Sequence, residues 1–424
     1  MLNDSGFSKI ITIIIVILVL VIAGLWFVSQ YWQLESAVEQ VPLAAQEEST
    51  GPVLPTIFTF NPEGWQINQY DLNTLEEAEV FSAEEKQLYN ILTKQSNQPT
   101  VLITTQYDAT IKNSAQTLLL VNALTSQSKE VFTLPNAEAG DGVVRYLASA
   151  QYNFDQSKIA YATILTDGQK NTGLEVWEYD LVKDLHILIS KIGGGTMDTV
   201  DIVGYSSDED YLVVYQYSND GSMIDLGQVK MINLETKEVD SNIWQQAIAR
   251  YFDLDDQQKV INTIGQPVMS PNGEAMVFTV PYDYYAQQYP DYFDKASRDE
   301  LVIYHLSTHE LEQVYLYNGE SNDLNQSVVS YGYWRERDYY FPTIDSLNKY
   351  SLQSDRVQMV MAWPVDLVSE SGSINLLLNI DNNSLLFTVP ERIGVYYLDL
   401  AMGQTSIFSF GQGGSKLYYY INQK

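Results

Sequence analysis

From Ile57 onward, short apolar runs alternate with polar turns along the whole chain. Seven times an apolar strand ends at a leucine just ahead of a polar turn: Leu72, Leu124, Leu181, Leu234, Leu306, Leu352 and Leu400. A second apolar pair follows the turn, as at Val80-Phe81, Val131-Phe132, Val314-Tyr315 and Ile407-Phe408. Successive marker leucines stand 52, 57, 53, 72, 46 and 48 residues apart. Several short strands recurring at such a period predict the blades of a β-propeller.

A second element recurs ahead of the first, in which polar turn residues lead into an apolar strand. Copies are Asn153–Tyr161, Ser207–Val214, Ser270–Phe278 and Asp381–Phe387, with a degenerate one at Asp338–Phe341. Leu102, Ile159 and Leu212 each lie 22 residues before their marker leucine. The first repeat lacks such a strand upstream, and Gly413–Ile421 supplies one at the other end of the sequence. A terminal strand that completes the first blade removes an open sheet edge. The expectation is an all-β chain with a single β-propeller of about seven four-stranded blades, six or eight being the alternative counts.

Two stretches read as helices against this rhythm. Ser82-Ala83-Glu84-Glu85 is a capping box leading into Lys86–Lys94, with Leu88, Ile91 and Leu92 on one side. Ser241–Phe252 places Ile243, Trp244, Ala247, Ile248 and Tyr251 at helical spacing. Both are expected to pack on the propeller surface. A third helix is predicted over 10–28, which carries no charge and no polar face. As a helix it would span roughly 28 Å, the thickness of a bilayer's hydrocarbon layer, with Trp26, Tyr31 and Trp32 at the interface. The expected organisation is therefore a short cytoplasmic tail (1–9), a transmembrane helix (10–28), a stalk (29–56) broken by Pro42, Pro52 and Pro55, and an extracytoplasmic domain (57–424). Lys9 in the tail favours a cytoplasmic N-terminus.

Charge narrows the partners. The chain has 23 Lys and Arg against 54 Asp and Glu, a balance of −31, which repels nucleic acid and anionic lipid alike. It has no cysteine, so no disulfide framework, thiol nucleophile or thiolate metal site is open to it.

Within this pattern, Ser270-Pro271-Asn272-Gly273-Glu274-Ala275-Met276-Val277-Phe278 resembles the Ser-Pro-Asp-Gly repeat of TolB-like, WD40-like propellers, also found in the propeller domains of prolyl oligopeptidase relatives. Asn153–Tyr161 and Ser207–Val214 are looser copies, and the resemblance extends as a pattern over about 57–424. It implies a tight turn followed by a buried strand, which is a structural role. Such proteins range from periplasmic scaffolds to substrate gates, so the resemblance implies no one activity.

Catalytic patterns are sparse. His305 and His309 share a hairpin and His186 stands elsewhere; the pair is expected to face solvent rather than hold a metal. Gly204-Tyr205-Ser206-Ser207-Asp208 lacks the last glycine of a nucleophile elbow. Gly193-Gly194-Gly195 reads as a loop. Asp253, Asp255 and Asp256, and Asn219-Asp220-Gly221 with Asp225, leave calcium open as a cofactor without matching its twelve-residue loop. The local anomaly is Pro281–Arg298, where Tyr282, Tyr284, Tyr285, Tyr289, Tyr292 and Phe293 crowd a loop that stretches the 22-residue offset to 29 (Val277 to Leu306). Tyrosine offers broad amphipathic contact, suited to a protein or a sugar. The reading is a membrane-anchored propeller that binds an envelope protein or glycan; the alternative is a carboxylate- or cation-dependent envelope hydrolase with its site in the propeller channel.

Overall fold

The computed structural model describes residues 56–61, 66–71, 77–82, 89–91, 100–105, 116–122, 127–134, 143–167, 170–195, 198–218, 227–240, 246–247, 250, 263–280, 300–316, 332–343, 346–363, 375–381, 384–388, 395–399, 404–408 and 416–421. The chain groups into two units, Met1–Val53 and Leu54–Lys424, and every described residue belongs to the second. Segment 10–28 lies outside the described residues, among which no helix is long and apolar enough to cross a membrane.

The described residues are almost entirely strand, in seven antiparallel sheets. The first holds β1 (Thr56–Asn61), β2 (Gln66–Asp71) and β3 (Glu77–Ser82). The second is β4 (Tyr89–Ile91), β5 (Thr100–Thr105), β6 (Thr117–Asn122) and β7 (Gln127–Thr133). The third is β8 (Val144–Tyr152), β9 (Lys158–Thr166), β10 (Asn171–Asp180) and β11 (Leu185–Ile192). The fourth is β12 (Asp198–Tyr205), β13 (Tyr211–Ser218), β14 (Gly227–Asn233), β15 (Val239–Asp240) and β16 (Thr263–Ile264). The fifth is β17 (Val268–Met269), β18 (Ala275–Val280), β19 (Glu300–His305) and β20 (Glu310–Leu316). The sixth is β21 (Tyr333–Arg335), β22 (Asp338–Pro342), β23 (Ser346–Ser351) and β24 (Arg356–Ala362). The seventh is β25 (Asn375–Asp381), β26 (Ser384–Thr388), β27 (Val395–Asp399) and β28 (Gln404–Phe408). The last strand, β29 (Lys416–Ile421), returns to the first sheet and pairs β1 from Thr56↔Ile421 to Phe60↔Lys416.

Six sheets run in chain order from inner to outer strand, and the first puts β29 in the inner place. The inner strands touch in succession: β8 meets β12, β12 meets β17, β17 meets β21, β21 meets β25 and β25 meets β29. Sheets stacked face to face around their first strands are the arrangement of a propeller.

Strand sequences follow from this stacking. A middle strand lies between two neighbouring sheets, so both its faces are buried and its sequence is mostly apolar. β13, Tyr-Leu-Val-Val-Tyr-Gln-Tyr-Ser, is such a strand. The period of two still decides which neighbour each residue meets. Ile159 and Tyr161 join Leu102, Leu118 and Phe132 of the second sheet, whereas Ala160 and Ala162 join Val200, Leu212 and Val214 of the fourth. Val213 and Tyr215 then pack with Met276 and Phe278, while Ala275 and Val277 pack with Trp334, Tyr339 and Phe341 of the sixth. Each fully buried large side chain of this kind contributes about 1.5–3 kcal/mol.

Two turns recur. The inner hairpin closes with Gln156 N–H to Asn153 O, Glu209 N–H to Ser206 O and Gly273 N–H to Ser270 O (3.2, 2.8 and 2.9 Å). All three of those donors have positive φ, at 59°, 57° and 67°. In the outer hairpin the marker leucine opens the turn. Leu181, Leu234, Leu306 and Leu352 donate their N–H groups to Ser157, Asp210, Glu274 and Arg337 O at 2.9–3.0 Å, which ties one hairpin to the other. Three residues later Asp184, Lys237, His309 and Asp355 again take positive φ.

In five outer strands the apolar pair after the turn holds a β-bulge, whereas Ile407 and Phe408 pair in register. Register shifts leave Val80, Val131, Ile189, Val314 and Val360 as the extra residue of five outer strands. A bulge twists an edge strand and discourages its pairing with other chains.

Two helical expectations fare differently. Tyr89–Ile91, inside the stretch expected to be helical, is strand β4, paired to β5 from Tyr89↔Thr105 to Ile91↔Ile103. Leu88, Ile91 and Leu92 span too short a run to fix a helical period, and pairing satisfies the backbone along a sheet edge. In the second stretch Gln246, Ala247 and Arg250 are helical and Ala247 is buried with Met231 and Tyr304. This segment lies between β15 and β16, both of which pair with β14, so it interrupts the outer strand of the fourth sheet.

Candidate functional site

Antiparallel order sorts the connections by end. The inner and outer hairpins, with their short repeated turns, share one end of each sheet. Connections from second to third strand, and from one sheet to the next, share the opposite end, and the long ones collect there. Residues 281–299, joining β18 to β19, are among them. Tyr282, Tyr284, Tyr285, Tyr289, Tyr292 and Phe293 therefore lie outside the described residues, but the two strands that carry them are fixed. Val280 pairs with Glu300, both are buried, and Gln313 Nε2 donates to Glu300 Oε1 at 2.6 Å. Segment 281–299 is thus flanked by a closed, buried pair of strand ends.

The same end holds a buried ion pair in the third sheet. Arg145 on β8 reaches across β9 to Glu175 on β10, with Nε and Nη2 each 2.9 Å from Oε2. Trp177 Nε1 donates to the same oxygen at 3.1 Å, and the guanidinium carbon stands 5.0 Å from the Trp177 ring centre. Lys191 Nζ lies 3.6 Å from the other carboxylate oxygen. Donors thus surround the carboxylate, and the cluster locks inner strand to outer. Beside it, Asp198 Oδ2 accepts from Gly195 N–H and Gln216 Nε2, both at 2.7 Å. Gln216 also donates to Gly193 O at 3.0 Å, so the glycine run is a loop fastened by side chains.

The turn end carries a cavity of about 570 Å³ between the helical segment and the β19–β20 hairpin. Arg250, His305, Thr308, His309, Glu310 and Glu312 line it. Arg250 Nη2 donates to His309 O at 3.2 Å, and His309 Nδ1 shares a hydrogen with Tyr304 Oη at 2.9 Å. His305 Nε2 lies 3.5 Å from Glu312 Oε2. Partial burial, and then the neighbouring Asp355 carboxyl, push the Glu312 carboxyl above the usual range, with His305 opposing. Asp355 goes the other way, held low by hydrogen bonds from Tyr350 (2.7 Å) and Glu312. The two carboxyls thus shift in opposite directions, Glu312 up and Asp355 down.

These histidines do not simply face solvent, as their hairpin position suggested: both are half-buried, and the His309 ring meets Tyr304 of its own sheet and, edge-on, Tyr211 of the fourth. His186 sits among Phe132, Tyr161 and Tyr179, bonded to Tyr161 Oη at 2.7 Å, and burial lowers its pKa. Among the described residues no three His, Asp or Glu side chains are grouped to hold a metal, while Asp253, Asp255, Asp256 and 219–226 lie outside them. Arg250, Glu310 and Glu312 went unnoticed in the sequence: Glu310 and Glu312 share the histidines' own hairpin, whereas Arg250 reaches His309 only because the insertion docks there.

No protein-family model and no curated protein sequence matches the chain. Solved propeller-type structures are similar at low identity. TolB from Acinetobacter baumannii is 9% identical with a TM-score of 0.38, over 72% of this chain and 62% of that one. Oligogalacturonate lyase from Vibrio parahaemolyticus is 11% identical with a TM-score of 0.43, over 83% and 90%. Puromycin hydrolase is 9% identical with a TM-score of 0.46, over 84% and 51%. The chain spans less than two thirds of the TolB structure and about half of the hydrolase. The order of strands and sheets carries the propeller assignment independently of these scores.

Proposed function

We propose that this chain is a membrane-anchored, extracytoplasmic seven-bladed β-propeller that binds a protein or glycan of the cell envelope. Helix 10–28 is its anchor, 29–56 its stalk, and β29 closes the ring. The observation that carries the binding role is the tyrosine-rich segment 281–299, inserted between two strands whose bases are buried and in register. Loops held by a rigid scaffold are where binding residues concentrate, and aromatic side chains supply contact area at small entropic cost. The test is crosslinking capture from native membranes with the full chain and with a version lacking Tyr282–Phe293. A stoichiometric component captured by the first and absent from the second supports the reading. Equal capture by both removes the loop from the interface, and capture by neither overturns the binding role.

A further inference from the structure

Two opposite charges line the cavity of about 570 Å³ at the turn end without pairing with each other. Arg250 is exposed, and two backbone carbonyls orient its guanidinium: Nε donates to Gln246 O at 3.3 Å and Nη2 to His309 O at 3.2 Å. Its other N–H groups meet no carboxylate among the described residues. Glu310, across the cavity on β20, is also exposed, and its carboxylate has no ion pair or side-chain hydrogen bond among the described residues. Glu312 is committed elsewhere, to His305 and Asp355. Ala247, which is buried, and Leu311 give the cavity an apolar wall. Its volume lies within the range of about 300–1,000 Å³ that encloses small ligands.

We infer that this cavity binds a small zwitterion of dipeptide size, with its carboxylate on Arg250, its ammonium on Glu310 and an apolar side chain against Ala247 and Leu311. The planar guanidinium fork matches a carboxylate through parallel hydrogen bonds, and the carbonyls of Gln246 and His309 hold that fork in place before a ligand arrives. An anion would leave Glu310 unmatched and would approach against the field of a chain at −31. A cation would leave Arg250 unmatched. A ligand with both charges satisfies each group and carries no net charge to be repelled. This site shares no residue with the tyrosine-rich segment, so either can fail without the other.

The probe is L-alanyl-L-alanine, titrated calorimetrically against the full chain in detergent. Two controls each remove one charge: the N-acetylated dipeptide lacks the ammonium and the C-terminal amide lacks the carboxylate. The expected result is saturable binding of the unblocked dipeptide, weakened at least about tenfold by either block. Arg250→Gln and Glu310→Gln, both at exposed positions that leave the core intact, should each weaken it by a similar factor, and Arg250→Lys should restore part of the loss. Absence of saturable binding would overturn the proposal. So would equal binding of the blocked dipeptides, or an affinity that neither glutamine variant changes.

Discussion

The backbone N–H of Ser207 donates to the carbonyl of Gly273 at 3.0 Å, joining the inner turns of the fourth and fifth sheets. The link belongs to a series. Asn153 Nδ2 reaches Glu209 Oε1 at 3.3 Å between the third and fourth sheets, and Arg337 Nη2 reaches Glu274 Oε2 at 2.7 Å between the fifth and sixth. Inner turns thus meet from sheet to sheet, and the repeat read as a local hairpin device also holds neighbours together.

Gly273 is where this arrangement tolerates no side chain. Its φ is +67°, and an added Cβ would lie 2.5 Å from both Phe154 Cζ and Tyr205 O. Gly273→Ala should cost at least about 1–2 kcal/mol through the left-handed backbone alone, read as a lower midpoint in urea. Gln156 holds the same turn position with φ 59°. Gln156→Gly should leave the midpoint unchanged or raise it, because relief of that strain offsets glycine's entropy.

Much of the fold was legible because turn and strand chemistry repeat in the sequence. Among the described residues the marker leucines Leu181, Leu234, Leu306 and Leu352 are the first residue of the outer turn, and the valine-led pairs coincide with its bulge. Leu102, Ile159 and Leu212, equally spaced from their markers, are fully buried in equivalent second strands. What was hidden depended on contacts between distant segments. Lys86–Lys94 satisfied helix rules locally, yet a sheet claimed Tyr89–Ile91. Nothing near Arg250 announced that it would meet His309, fifty-nine residues on. The buried Arg145–Glu175 pair was equally unreadable, since thirty residues and a strand separate its halves.

That pair makes a stability prediction. Both side chains are about 5% exposed, so Glu175→Leu removes the buried carboxylate that Arg145, Trp177 and Lys191 share and should cost about 3–5 kcal/mol. The double variant Arg145→Met, Glu175→Leu should recover most of the loss in equilibrium unfolding. No recovery would mean that packing, rather than charge, dominates there.

The Glu312–Asp355 pair should respond to pH. The Glu312 pKa is raised in the folded state, so its contribution is complete below the ordinary glutamate value and fades as pH rises through the folded value. Asp355, whose pKa is lowered, contributes above the ordinary aspartate value and loses its part in stronger acid. Glu312→Gln keeps a hydrogen-bond donor without needing a proton. Its thermal midpoint should exceed that of the parent chain at neutral pH, with the gap closing as the medium is acidified. A gap that does not vary with pH would count against the raised Glu312 pKa.

Deleting Lys416–Ile421 should expose β1 as an open edge. The shortened chain is expected to aggregate, seen as loss of the monodisperse peak in light scattering. A synthetic peptide of the deleted strand should restore solubility if the pairing is what matters.

The position of β1 between β29 and β2 also sets how the domain bears load. A pull entering through the residues ahead of Thr56 runs along β1 and must shear two hydrogen-bond ladders at once. At an edge strand the same pull would act on a single ladder. The entry point of the chain is thus its mechanical clamp, and tension applied there is resisted by residues from both ends of the domain.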